Sequence, residues 1–173
     1  MQIKGLEEQI KFYEDEIEKL SQKPKYKKTV DSLCCFRGFR TLSAMTLATE
    51  IGDINRFAHP RQLTSYCGLD ISEYTSGGRE KKFGITKGGN SHIRAVIVES
   101  SQYAHRPPNI GASLHRRRKD CDPDVIEISN RCMKRLYKKS HHLLSRGKHT
   151  NKIKVACARE MLGFIWETMK VCS

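Results

Sequence analysis

Ser76 is followed by Gly77 and Gly78, and then by Arg79, Lys81, Lys82 and Lys87. A serine in a glycine-bounded turn can approach a phosphate closely, because no neighbouring side chain obstructs it. Cations around it would neutralise charge on a phosphoryl transition state. Spacing alone does not separate such a nucleophile from an ordinary turn, since Ser-Gly-Gly is common turn chemistry. A metal is the other chemistry to test. Cys121, Cys132, His141, His142 and His149 lie within 29 positions, but without the paired short ligand hairpins that hold a tetrahedral ion. Cys132 falls on an apolar helical stripe, and the histidines sit among lysines, where they suit phosphate better than zinc. No metal site is expected from these residues, and no close acidic cluster suggests a magnesium site.

The cations are unevenly placed. Lys and Arg number 32 against 19 Asp and Glu, a formal net charge of +13. Residues 1–20 carry three bases and six acids, so the remainder holds 29 bases and 13 acids. From Ile128 to Arg159 there is no acid at all, and Arg116, Arg117, Arg118 and Lys119 form a second cluster. One-signed density of this kind repels itself unless a polyanion neutralises it. Nucleic acid is the expected partner. An anionic membrane fits less well, because no helix pairs its basic face with bulky aromatics.

These residues need elements to hold them. Ile3, Leu6, Ile10, Tyr13, Ile17 and Leu20 repeat at 3-4 spacing, the a and d positions of a heptad. So short a coiled-coil helix is marginal alone, so residues 1–24 are expected to pair with a second copy of the chain or with an upstream segment. Pro24 ends that helix. Two helical stretches then meet at Gly38, the outline of a helix-hairpin-helix, and the second stops at Gly52. Residues 64–85 alternate apolar residues with glycines and are predicted as short extended pieces with tight turns. Asn90 or Ser91 caps a further helix that buries Ile93, Val96, Ile97, Ser100 and Ala104. Another begins near Pro123 and buries Val125, Ile128, Cys132, Leu136 and Leu143. The last uses Val155, Ala158, Leu162, Ile165 and Met169. The fold class is mainly α, with a coiled-coil helix followed by a helical domain over 29–173.

With 173 residues, 38% of them hydrophobic and 29% charged, the chain fits one domain with an appendage and is too apolar for wholesale disorder. No apolar run reaches the ~18 residues of a membrane span, and no secretory h-region opens the chain. Seven cysteines with no CxxC do not form an extracellular disulfide framework, which points to a reducing cytosol.

Four blocks carry a resemblance. They are Ala48-Thr49-Glu50-Ile51-Gly52-Asp53-Ile54-Asn55-Arg56-Phe57, Arg61-Gln62-Leu63-Thr64-Ser65-Tyr66-Cys67-Gly68-Leu69, Glu73-Tyr74-Thr75-Ser76-Gly77-Gly78, and Gly84-Ile85-Thr86-Lys87-Gly88-Gly89-Asn90-Ser91-His92-Ile93-Arg94. In order and spacing the stretch from about Leu33 to Ala104 resembles the C-terminal domain of insertion-sequence transposases related to the Piv DNA invertases. These are also called DEDD or bridge-RNA-guided recombinases. The resemblance implies that Ser76 attacks the scissile DNA phosphate and forms a covalent phosphoserine intermediate, which conserves the phosphoester energy without a nucleotide cofactor. It implies phosphate contacts from the Gly84–Arg94 block, Lys87, Asn90 and Arg94 among them. With Arg79, Lys81, Lys82, Arg116, Arg117 and Arg118 these complete the expected DNA- and RNA-binding set.

Family members also carry an N-terminal RuvC-like domain whose carboxylates bind magnesium, a coiled-coil linker, and a structured guide RNA from the element. Two departures stand out. Arg40 occupies the place of the second hairpin glycine, and the RuvC-like half is not seen. The chain is therefore expected to be the catalytic-serine half of a split or truncated transposase, prokaryotic and nucleoid-associated in the cytoplasm, and inactive or nearly so alone. The rival reading is a non-catalytic nucleic-acid-binding remnant that competes with full-length transposase. A third is an RNA-binding protein without a DNA role.

Overall fold

The computed structural model describes residues 2–76 and 79–173, with residue 2 and residues 72–83 described by backbone alone. Eight helices and one two-stranded hairpin make up these residues: α1 (Gln2–Ser21), α2 (Pro24–Cys34), α3 (Thr41–Ile51), α4 (Pro60–Tyr66), β1 (Ile71–Ser76), β2 (Arg79–Ile85), α5 (Ser91–Ser101), α6 (Ala112–Arg117), α7 (Pro123–Ser145) and α8 (Thr150–Cys172). The chain is mainly helical, as the 3-4 spacings predict. Pro24 closes α1 and at once opens α2 from its first turn, where a missing N–H costs nothing.

α8 is the axis of the core. It buries Ile153, Cys157, Ala158, Met161, Leu162, Ile165 and Met169, more than one stripe, because α2, α4, α5 and α7 all pack on it. α7 presents Val125, Ile128, Cys132 and Leu136 and lies antiparallel to α8. Arg131 reaches Glu167 at 2.5 Å, while Arg135 and Lys139 both reach Glu160, the latter at 2.7 Å. Trp166 is half-buried against the core and donates its indole N–H to the Phe57 carbonyl at 2.9 Å. All seven cysteines are free. Burial pushes the Cys34 thiol up to about 11 and that of Cys67 to about 12, so both stay protonated near neutral pH.

The α2–α3 turn has the glycine-bearing outline read from the sequence, and the glycine's use is structural. Gly38 adopts φ +94°, and a Cβ there would meet the Ser100 carbonyl and the Tyr103 ring at 3.0 Å. Its missing side chain lets the turn press against α5, where the Ser100 hydroxyl donates to the Gly38 carbonyl. On α1, Ile3, Leu6, Ile10 and Tyr13 are between 58% and 73% exposed, and only Ile17 near its end packs on the core. No described helix is long and apolar enough to cross a membrane.

Candidate nucleic-acid interface

The hairpin is held at its root by backbone meeting backbone. Lys87 N–H donates to the Gly68 carbonyl at 3.0 Å, Asn90 N–H to Tyr66 at 2.8 Å, and Thr86 N–H to Asp70 at 2.9 Å. Gly68 and Gly89 both have positive φ. A Cβ on Gly68 would lie 2.1 Å from the Gly88 carbonyl oxygen, and one on Gly89 would lie 2.3 Å from that of Tyr66. Only glycine fits at either point. The glycines of two separate sequence blocks therefore form one clasp. From it β1 and β2 run antiparallel, Ile71 opposite Ile85 and Ser76 opposite Arg79. At ~3.4 Å per residue, the Ser76 backbone is about 17 Å from the root.

Gly77 and Gly78 lie outside the described residues, as do the side chains of Ser76, Arg79, Lys81 and Lys82. Lys87 is exposed just below the hairpin, with φ +56°. Asn90 is committed elsewhere. Its Oδ1 accepts from Ile93 N–H as the cap of α5, and its Nδ2 donates to the Glu50 carboxylate at 2.7 Å. It is thus the cap of α5 that the sequence suggested, with one amide hydrogen already given to Glu50. Arg94 is half-buried and gives one Nη1 donor to the Cys67 carbonyl at 2.8 Å, which braces the clasp from α5.

Arg118 requires a correction. It is 5% exposed. Its guanidinium donates to the Cys35 carbonyl at 3.0 Å, to Asn130 Oδ1 at 2.8 Å and to Ser129 Oγ at 2.6 Å. A buried cation is tolerable when its donors are satisfied in this way, and it has no face left for phosphate. Its neighbours differ. Arg116 is exposed. Arg117 lines an open cleft of about 400 Å³ at the α2–α3 turn with Arg37, Arg40, Arg106 and Tyr103. Arg117 and Arg37 spend donors on loop carbonyls, those of Phe39, Arg106 and Asn109. The Arg106 guanidinium lies 4.9 Å from the centre of the Tyr103 ring.

No carboxylate lines this cleft. Burial first, and then the charge of Arg106, draw the Arg37 pKa below its ordinary value. Arg37 and Arg106 were missed in the sequence because each stands alone in it, 69 positions apart, and only the turn brings them together. Among the described residues no three His, Cys, Asp or Glu side chains converge as a metal ion requires.

Residues 31–114 match the family described as Transposase IS116/IS110/IS902 family. This segment is similar to an IS116/IS110-type transposase domain. The chain is 39% identical over 137 residues to y4qE of Sinorhizobium fredii, a transposase by name, covering 79% of this chain and 35% of that one. It is 29% identical over 96 residues to the transposase for insertion sequence element IS1111A of Coxiella burnetii, covering 56% and 26% respectively. To the transposase for IS1533 of Leptospira borgpetersenii it is 27% identical over 143 residues, with 40% of that protein covered. The chain thus spans between a quarter and two fifths of the length of these curated relatives. The matched segment contains the hairpin, its glycine clasp, and Arg37, Arg40 and Arg106. α7 and α8, which bury its inner face, lie beyond the matched segment.

Proposed function

We propose that this chain supplies the DNA-binding, serine-bearing part of a transposase. The observation that supports it is the glycine-clasped hairpin, which carries the Ser76 backbone about 17 Å along β1 from its root, inside the segment that matches the transposase family. In this reading the Ser76 hydroxyl attacks the scissile phosphorus. A bond forms between Oγ and phosphorus, and the bond from phosphorus to the leaving strand's oxygen breaks. The serine proton goes to a base and the leaving alkoxide takes up a proton. The hydroxyl of the incoming strand then attacks the phosphoserine, the serine is released, and one phosphodiester has been exchanged for another. Arg79, Lys81, Lys82 and Lys87 neutralise the extra charge of the transition state. Arg40, Arg106, Arg116 and Arg117 hold the backbone of the same DNA at a distance from the reacting phosphate.

An unassisted serine hydroxyl is a weak nucleophile near neutral pH. The reading accordingly takes the activating carboxylates, and the magnesium they would bind, from a RuvC-like domain acting in the same assembly. A structured guide RNA would specify the DNA partners. The test is trapping on a nicked suicide substrate with that domain supplied in trans. The wild-type chain should give a protein–DNA adduct that survives denaturation, and Ser76→Ala should give none. An adduct of equal yield from the alanine chain would end the serine assignment and leave the non-catalytic reading.

A further inference from the structure

At the end of the molecule where α7 turns into α8, a slot of about 300 Å³ opens between α7, α8 and the turn that follows α5. Ala104, Leu144 and Ile153 give it its apolar surface, Gln102 is the one amide, and Ser101, Ser140, His105 and Thr150 complete the lining, the two serine hydroxyls already donating to the Lys154 and Ala104 carbonyls. Leu144 is 57% exposed, an unusual position for a leucine in so cationic a region. The volume is at the bottom of the range that small-molecule sites occupy, about 300–1,000 Å³, and so suits one flat ring system.

The surroundings decide which one. His141 and Lys154 stand at the rim, and Lys138, His142, Arg146, Lys148, His149 and Lys152 are exposed close by in sequence, with no acid between Ile128 and Arg159. The structure also sorts this cation run. Arg131, Arg135 and Lys139 are neutralised by Glu160 and Glu167 across the helix pair. Those around the turn have no carboxylate partner among the described residues. The result is an apolar slot, a single amide able to both donate and accept, and a rim of unneutralised positive charge.

That combination matches an aromatic base attached to a phosphate chain. An apolar peptide would leave the rim charges unrelieved, and duplex DNA could satisfy the rim but would leave the slot empty. We propose that the slot takes one unpaired nucleotide of DNA, with its base against Leu144 and Ile153 and its flanking phosphates on the rim cations. The choice of DNA rests on the transposase reading, in which strands are opened and exchanged. The slot itself does not.

The test is equilibrium binding by the full chain carrying Ser76→Ala, so that covalent chemistry plays no part and its failure is read separately from that of the serine assignment. The probes are a single-stranded DNA with 2-aminopurine, the same sequence as duplex, and the same sequence as RNA, at equal salt. Binding should change the 2-aminopurine fluorescence of the single strand. Leu144→Asn, which removes a wall without adding charge, and Ala104→Leu, which fills the slot, should each weaken single-strand binding about tenfold, near the lower end of what one base contact contributes. Duplex affinity should stay within about twofold, on the view that duplex binding is a backbone term. Lys148→Gln with Lys152→Gln should weaken both probes. Parallel loss of single strand and duplex in the slot variants, no loss in either, an unresponsive 2-aminopurine, or tighter binding of the RNA would each overturn the proposal. Thermal melts matching wild type show that the variants are folded.

Discussion

Three consecutive arginines in one run, Arg116, Arg117 and Arg118, have three fates, and the difference is set by burial rather than by residue type. Arg118 joins the end of α2 to the start of α7 through the Cys35 carbonyl, Ser129 and Asn130. Removing it leaves buried acceptors unmet. Arg118→Met should cost about 3 kcal/mol in urea denaturation, the range for hydrogen bonds to a charged group. Arg118→Lys should restore only part, since one ammonium cannot span three acceptors placed for a planar fork. Glu160 gives the matching test in acid. Burial acts to raise its pKa, but Lys139 and Arg135 outweigh that and hold it below the ordinary carboxylate value. A lowered folded pKa contributes stability that is fully present above the unfolded value, about 4.3, and is lost as pH falls through the folded one. Urea melts should therefore show Glu160→Gln less stable than wild type at pH 7, with the gap closing as the pH drops below about 4. Nothing in the sequence separated Arg118 from Arg116. A run of like charges reads as one surface patch until the helix that carries it is seen to rotate one member inward.

Helices with strong apolar spacing were legible as elements. The stripes of α5, α7 and α8 bury Ile93, Ile97, Val125, Ile128, Cys132, Leu136, Leu162, Ile165 and Met169 as the 3-4 pattern requires. The short α4 and α6 escaped, because seven and six residues are too few for a period to show. Extended pieces were legible over 71–85 from alternation and glycines, but the expected stretch began at Thr64, which lies in α4, and neither the strand pairing nor the clasp at its root could be read. Gly68 and Gly89 are 21 positions apart, and each looked like a local turn until their backbones met. α1 inverts the usual case, for its pattern is clear and its partner is not within the described chain. Ile3, Leu6, Ile10 and Tyr13 form an exposed apolar row, and a helix of this length needs a second surface to be stable in water. Sedimentation at micromolar concentration should find the chain associated. Leu6→Glu with Ile10→Glu should return it to a monomer whose melting temperature no longer depends on protein concentration, and should leave the core folded, because neither side chain touches it.

For the molecule as a whole, the net charge of +13 guarantees salt-sensitive binding to any polyanion, so affinity alone says little about where DNA sits. The slope of affinity against salt is more informative, because each phosphate neutralised adds about 0.9 to it for duplex DNA. The described surface separates cations that are spent from cations that are free. Arg118 is buried in the fold, and Arg131, Arg135 and Lys139 are paired with Glu160 and Glu167. Arg40 and Arg106 line an arginine cleft with no carboxylate. If DNA crosses the domain through that cleft, Arg40→Gln and Arg106→Gln should each lower the slope by about one unit and weaken binding to all duplex sequences alike. Arg131→Gln should leave the slope unchanged, since its charge is already met by Glu167. Titrations at four or more salt concentrations measure this directly. Equal reductions from the cleft and from Arg131 would mean that duplex DNA is held by diffuse charge and not by the α2–α3 turn.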